Sequence, residues 1–187
     1  MRWPTHMRKT TRSEAWKQSL ERDFLAAYDE HANALFRHCL LRVRDREVAK
    51  DIVQEAYSKT WLYLSEGKQI EYPRAFLYRV VNNLIVDGSR KKRSASLEKM
   101  MEDDGFEPAD ESLTDPTDRT SVREALVHLE SLDEIYQTAI RMRFFDNMTP
   151  KEIAHALGVS ENVVSVRIHR GIERLGRLMK HPTKSTP

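Results

Sequence analysis

Apolar residues recur at helical spacing along most of the chain, and strand-like alternation is scarce, so the pattern predicts an all-α protein. The first stripe runs through Leu20, Phe24, Tyr28, Leu35, Phe36, Leu40 and Val43. Asp45 is placed to cap a second helix over 46–64, with Ile52, Val53, Ala56, Thr60 and Leu64 facing inward and Gly67 stopping it. Pro73 opens a third helix carrying Phe76, Leu77, Val80, Val81, Leu84 and Ile85 on one side. That helix runs out in Arg90, Lys91, Lys92 and Arg93. The period is lost over 94–119 and returns in helices over 122–130 and 133–145.

The sharpest local signal is TPKEIAHALGVSENVVSVRIHR, residues 149–170. Thr149 suits an N-cap, Pro150 the first helical position, and Glu152 the third position of a capping box. Ile153, Ala154 and Leu157 give this helix an apolar face, and Ala154 is small enough for a second helix to approach. Gly158 permits a sharp turn, Val159 plugs the joint, and Ser160 caps the next helix. Val164, Ile168, Ile172 and Leu175 are expected to form that helix's buried stripe. Asn162, Val166, His169, Arg170 and Arg177 lie opposite, with Ser165 and Arg167 on the flanks. This is a helix-turn-helix, whose second helix can reach bases and phosphates in the DNA major groove.

Two small helical domains, 20–93 and 120–180, are therefore expected on either side of a flexible acidic linker, 94–119. A basic tail at 1–19 and a short tail at 181–187 are expected to be disordered. Charge sharpens this division. The net charge is only +2, but residues 94–119 hold two basic and nine acidic side chains. The rest of the chain is left with 29 basic against 20 acidic, a surplus that favours a polyanion partner.

Other classes fit poorly. No apolar run approaches the roughly 20 residues that span a bilayer, and the N-terminus MRWPTHMRKTTR lacks the apolar core of a secretory signal. The single cysteine, Cys39, excludes an internal disulfide framework. His31, His38 and Cys39 fall on one helix at spacings that do not match a zinc site, so they are expected in the core. Asp103 and Asp104 lie in the linker, where nothing fixes them for acid–base work, and no glycine-rich phosphate loop occurs. No metal, cofactor or catalytic residue is expected, and cytoplasm is the expected compartment.

Taken in order, DIVQEAYSKTW, PRAFLYRVVNNLIVDGSRKKR and the C-terminal helix-turn-helix resemble a bacterial RNA polymerase sigma factor. The resemblance is to the small extracytoplasmic-function group, which keeps only regions 2 and 4, and it covers residues 20–180. It implies a transcription initiation factor that brings core polymerase to promoters and opens the minus-ten element without ATP. By this resemblance Asp51, Ile52, Gln54 and Glu55, with Val53 behind, dock on the clamp helices of the largest polymerase subunit. Tyr78, Arg79, Asn82, Asn83, Arg90, Lys91, Lys92 and Arg93 would serve the minus-ten element, with Asn83 holding a base flipped out of the stack. Asn162, Ser165, Val166, Arg167, His169 and Arg170 would read the minus-thirty-five element. The partners implied are core polymerase (its clamp and the flap of the second-largest subunit), promoter DNA and an anti-sigma factor, with no membrane insertion.

The chain departs from the family pattern at four places, one of them Gly88-Ser89, where larger residues are usual and whose small size is expected to loosen the helix before the basic cluster. Leu132-Asp133 stands where a Leu-Pro pair is usual, and Asp133 is expected to cap the following helix instead. Phe76 stands where Trp is common, and Ser165 where a basic residue often precedes the reading positions. The rival reading is an autonomous two-domain helix-turn-helix regulator, whose first domain would serve dimerisation or a ligand.

Overall fold

A computed structural model describes residues 14–95 and 125–180, and all regular structure among them is helical. In chain order the elements are α1 (Glu14–Val43), α2 (Arg46–Ser65), α3 (Pro73–Ala95), α4 (residues 125–130), α5 (Glu134–Phe144), α6 (Pro150–Leu157) and α7 (Glu161–Lys180). The chain divides into two compact units, the first holding α1–α3 and the second α4, α5, α7 and the start of α6. Residues 1–13, 96–124 (which hold the acidic segment after Ala95) and 181–187 lie outside the described residues.

In the first unit each of the three helices packs on the other two. Asp45 caps α2 as expected, its carboxylate accepting from the Glu47 and Val48 amides at 2.9 and 3.0 Å. The inward face of α2 is Ala49, Val53, Ala56, Tyr57, Thr60 and Leu64, while Ile52 is only half-buried. The seam of α1 includes residues the apolar pattern passed over. His31, His38 and Cys39 are buried beside Leu20, Ala27 and Leu35, whereas Tyr28 is exposed. The three therefore occupy core positions.

One boundary moves. Residues 1–19 were expected to be a loose tail, yet α1 begins at Glu14. Trp16 lies one turn before Leu20 and packs against the cluster of Leu20, Ala27, Leu64 and Ile70. That contact extends the apolar seam a turn back into the basic segment, and a Lys17–Glu14 ion pair at 3.1 Å lies on the same turn. At the other end α3 continues through the basic cluster to Ala95.

In the second unit α5 packs on α7 around Leu129, Leu132, Tyr136 and Ile140, with Leu126, Leu175 and Leu178 against them. The α4–α5 joint is closed by Gln137, whose amide donates to the Glu130 and Leu132 carbonyls at 2.9 and 2.7 Å. Asp133 stands at the N-cap of α5 but makes no side-chain capping bond. Its carboxylate instead pairs with Arg174 of α7 at 2.6 Å, and the Arg174 guanidinium lies over the Tyr136 ring. The residue expected as a cap is thus a tie between two helices.

The buried stripe of α7 also differs from expectation, because Ile172 is 45% exposed and Gly171 is buried. Steps of four residues drift about 40° per step on a helix of 3.6 residues per turn, so a second such step, from Ile168 to Ile172, leaves the core. The seam corrects with a step of three, from Ile168 to Gly171, then continues to Leu175 and Leu178. A Cβ on Gly171 would come within 2.7 Å of Ile140 Cδ1 and 3.2 Å of Tyr136 Cβ. Gly171→Val should therefore lower the unfolding free energy by about 2–3 kcal/mol through overpacking. Gly176→Ala, where nothing lies within 4 Å, should raise it by about 0.5–1 kcal/mol. Urea unfolding of the two variants checks the contrast; a destabilising Gly176→Ala would contradict it.

Candidate nucleic-acid interface

The helix-turn-helix forms through the capping chemistry read in its sequence. The Thr149 hydroxyl accepts from the Glu152 amide at 3.3 Å, and the Glu152 carboxylate accepts from the Thr149 amide at 2.8 Å, which completes the capping box. Gly158 ends α6 in the left-handed region at φ +67°, where a side chain would be strained. The Ser160 hydroxyl then accepts from the Val163 amide at 3.3 Å and starts α7. Ile153, Ala154 and Val164 are buried.

This arrangement leaves Asn162, Ser165, Val166, His169 and Arg170 exposed on α7, with Arg167 half-buried at the edge. Two polar groups in that set have partners within their own helix. The Ser165 hydroxyl donates to the Glu161 carbonyl at 3.0 Å, and His169 Nε2 lies 3.5 Å from the Glu173 carboxylate. Arg170 contributes the long cationic donor of this face.

On α3 the expected residues separate into two groups. Arg79, Asn83 and Arg90 are exposed, and their spacing of four and then seven residues places them on one face. Tyr78 and Asn82 do not join them. Tyr78 is 0% exposed, with its ring edge-on to His38 at 5.0 Å. Asn82 is 8% exposed; its Oδ1 accepts from Arg42 and lies 3.3 Å from His38 Nε2, while Nδ2 donates to the Tyr78 carbonyl at 2.8 Å. Their assignment to the DNA strand is therefore corrected: both face α1, and Asn82 ties α3 to it. The backbone at Lys91, Lys92 and Arg93 is helical, and their side chains lie outside the described residues.

On α2, Asp51, Gln54 and Glu55 are exposed, Ile52 is half-buried and Val53 is buried behind them. Glu55 pairs with Lys59 at 2.8 Å, a solvated pair that holds the carboxylate on the surface. Leu62, seven residues beyond Glu55, shares this face and is 60% exposed. It was passed over because it belongs to no charged motif, although its helical position places it there. Gln54 also borders a groove of about 710 Å³ between α1 and α2, walled by Phe24, Tyr28, Phe36, Tyr57 and Trp61. Burial raises the Tyr57 phenol well above the usual tyrosine range, with Tyr28 and Asp29 adding to the shift, and its hydroxyl donates to the Ala27 carbonyl. In the following loop a hydrogen bond from Lys68 to Glu66 raises the ammonium above its ordinary value.

Residues 27–95 match the family described as Sigma-70 region 2, and residues 123–175 match Sigma-70, region 4. The ECF RNA polymerase sigma factor SigL of Mycobacterium tuberculosis is 28% identical over 153 residues, covering 80% of this chain and 85% of the relative. The RNA polymerase sigma factor SigV of Bacillus subtilis is 26% identical over 157 residues, covering 84% of this chain and 91% of the relative. In fold, the chain is similar to the sigma factor RpoE of Bartonella quintana, solved in complex with the anti-sigma factor NepR. That match has a TM-score of 0.66 at 18% identity and covers 89% of this chain and 99% of the other.

Proposed function

We propose, for a chain that belongs to the sigma-70 family as an extracytoplasmic-function transcription initiation factor, a division of labour among three exposed faces. The α2 face of Asp51, Gln54 and Glu55, flanked by Ile52, docks on the clamp helices of core polymerase. An acidic and amide surface meeting basic clamp residues makes charge-assisted hydrogen bonds that set orientation as well as affinity. The α3 face of Arg79, Asn83 and Arg90 engages the minus-ten element. Asn83 holds the extruded base, and Arg90 and the basic residues after it hold the duplex backbone. The exposed face of α7 reads the minus-thirty-five element.

The observation that carries this reading is the α3 face. Asn83 and Arg90 stand exposed in register, while Tyr78 and Asn82 are spent on the core. A ligand-binding or dimerisation domain has no need to project an amide and a cation from one ridge that leads into four consecutive basic residues. Each domain offers few phosphate contacts alone, so the free chain should bind DNA weakly. Affinity then comes from linking both domains on polymerase.

In this reading the chain has no catalytic residue, cofactor or metal of its own and works in the cytoplasm. No helix among the described residues is long and apolar enough to cross a membrane. An anti-sigma factor is a further partner, supported by the fold it shares with a sigma factor solved in such a complex.

The test is size-exclusion co-elution of this chain with bacterial core RNA polymerase stripped of its own sigma factor. Stoichiometric co-elution is expected; a folded chain that stays apart from core supports the autonomous regulator instead. With Arg170→Ala, promoter-specific transcription should fall roughly tenfold, within the 1–3 kcal/mol that one guanine contact contributes, while co-elution is unchanged. An unaltered footprint over the upstream promoter element would remove Arg170 from the reading face.

A further inference from the structure

The outward face of α7 carries an apolar pair in its first half. Val163 and Val166 are each 38% exposed, at the i, i+3 spacing that makes helix neighbours. At about 100° per residue, Val166 points directly away from the seam of Val164, Ile168, Gly171 and Leu175. It lies at the apex of the helix, the position that enters deepest into a groove. Asn162 borders the pair on one side, and Arg170, one turn on, stands on the other.

Two polar side chains beside the apex are engaged within their own helix and leave room for an apolar contact. The Ser165 hydroxyl is turned back onto the Glu161 carbonyl, and His169 leans toward Glu173. Valine is also a weaker helix former than alanine or the long polar residues, so two exposed valines in the first two turns do nothing for helix stability. Nor do they reach the core, since Val164 between them is the buried one.

In the major groove the base-pair feature that rewards an apolar contact is the 5-methyl group of thymine. We propose that Val166, supported by Val163, reads a thymine methyl in the duplex element that α7 recognises, and so selects an A·T pair beside the base contacted by Arg170. This rests on the promoter-reading role proposed above for α7. It gives Val166 a specificity-determining chemistry of its own: Arg170 supplies hydrogen bonds, and Val166 supplies a contact that a 5-methylated pyrimidine satisfies.

Replacing thymine by deoxyuracil deletes that methyl and keeps the pairing edge. Holoenzyme reconstituted from the full chain and core polymerase would first select its duplex from a randomised library. Each thymine of the upstream element would then be replaced by deoxyuracil in turn. One replacement should weaken binding about fourfold, the value of one buried methyl-sized group. In Val166→Ala holoenzyme the same replacement should change binding by less than about 1.5-fold, with core co-elution unchanged. Selection with the free chain, run in parallel, keeps this inference separate from the sigma reading. If the free chain enriches a duplex and holoenzyme does not, the sigma reading falls and the deoxyuracil scan on that duplex decides the valine. The inference is overturned if no thymine is sensitive, if Val166→Ala stays as sensitive as the parent, or if neither form enriches any duplex.

Discussion

Reversing the charge of Asp51 and Glu55 to lysine should abolish docking on core polymerase while leaving the fold intact. Both carboxylates are exposed on α2, on the side opposite Ala49, Val53, Ala56 and Thr60, so their replacement touches no packed group. The exposed Glu55–Lys59 pair contributes only about 0.3–0.5 kcal/mol as an i, i+4 contact. Surface changes of this kind stay within about 0.5 kcal/mol of the parent stability. The effect at the interface is much larger. In the proposed docking each reversal should remove a charge-assisted bond of roughly 1.5–3 kcal/mol and place like charges together. A combined loss of about 4 kcal/mol corresponds to roughly a thousandfold in affinity. Competition for core against the parent chain, with urea unfolding alongside, measures both quantities. A double variant that docks as tightly as the parent would show that the clamp meets another face, with the Leu62 ridge or the aromatic α1–α2 groove the nearest candidates.

Local signals with a complete chemical logic were legible in the sequence. The Thr149–Glu152 capping box, Gly158 in the left-handed turn, the Ser160 cap, Asp45 and Pro73 all stand where their chemistry places them. So does the exposed Asp51–Glu55 face, since a helix with one apolar side leaves its charged side to water. What the sequence hid was whatever depended on a partner helix. Tyr78 and Asn82 read as neighbours of the exposed Asn83, yet they are buried against α1, whereas His31 and His38 lie in the core as expected. Gly171 looks like a flaw in a helix until Tyr136 and Ile140 are seen against it. Asp133 has the residue type and position of a cap, but Arg174, 41 residues later, offers a stronger partner.

The same dependence on partners separates two neighbouring asparagines, and opposite consequences should follow from removing each. Asn82→Ala should lower the unfolding free energy of the first unit by about 2–3 kcal/mol. It deletes the hydrogen bond that the Arg42 guanidinium makes across to α3, with the contact to His38 and the bond to the Tyr78 carbonyl, and hydrogen bonds to a charged group contribute in that range. Any loss of transcription should then track the loss of folded protein and recover on cooling or in a stabilising osmolyte. Asn83→Ala should leave unfolding within about 0.5 kcal/mol of the parent, because the side chain is exposed. Its effect should fall on promoter opening. A base extruded from the stack costs a few kcal/mol, so losing about 2 kcal/mol of pocket contact slows open-complex formation roughly thirtyfold. The control is the base itself. On a promoter whose non-template strand carries an abasic site at the extruded position, the pocket has nothing to hold. Asn83→Ala should be nearly silent there, the non-additivity expected of two changes that delete one contact. A full thirtyfold defect on the abasic promoter would place Asn83 on the backbone rather than on a base. A destabilised Asn83→Ala, or a fully stable Asn82→Ala, would reverse the division of α3 into a core side and a DNA side.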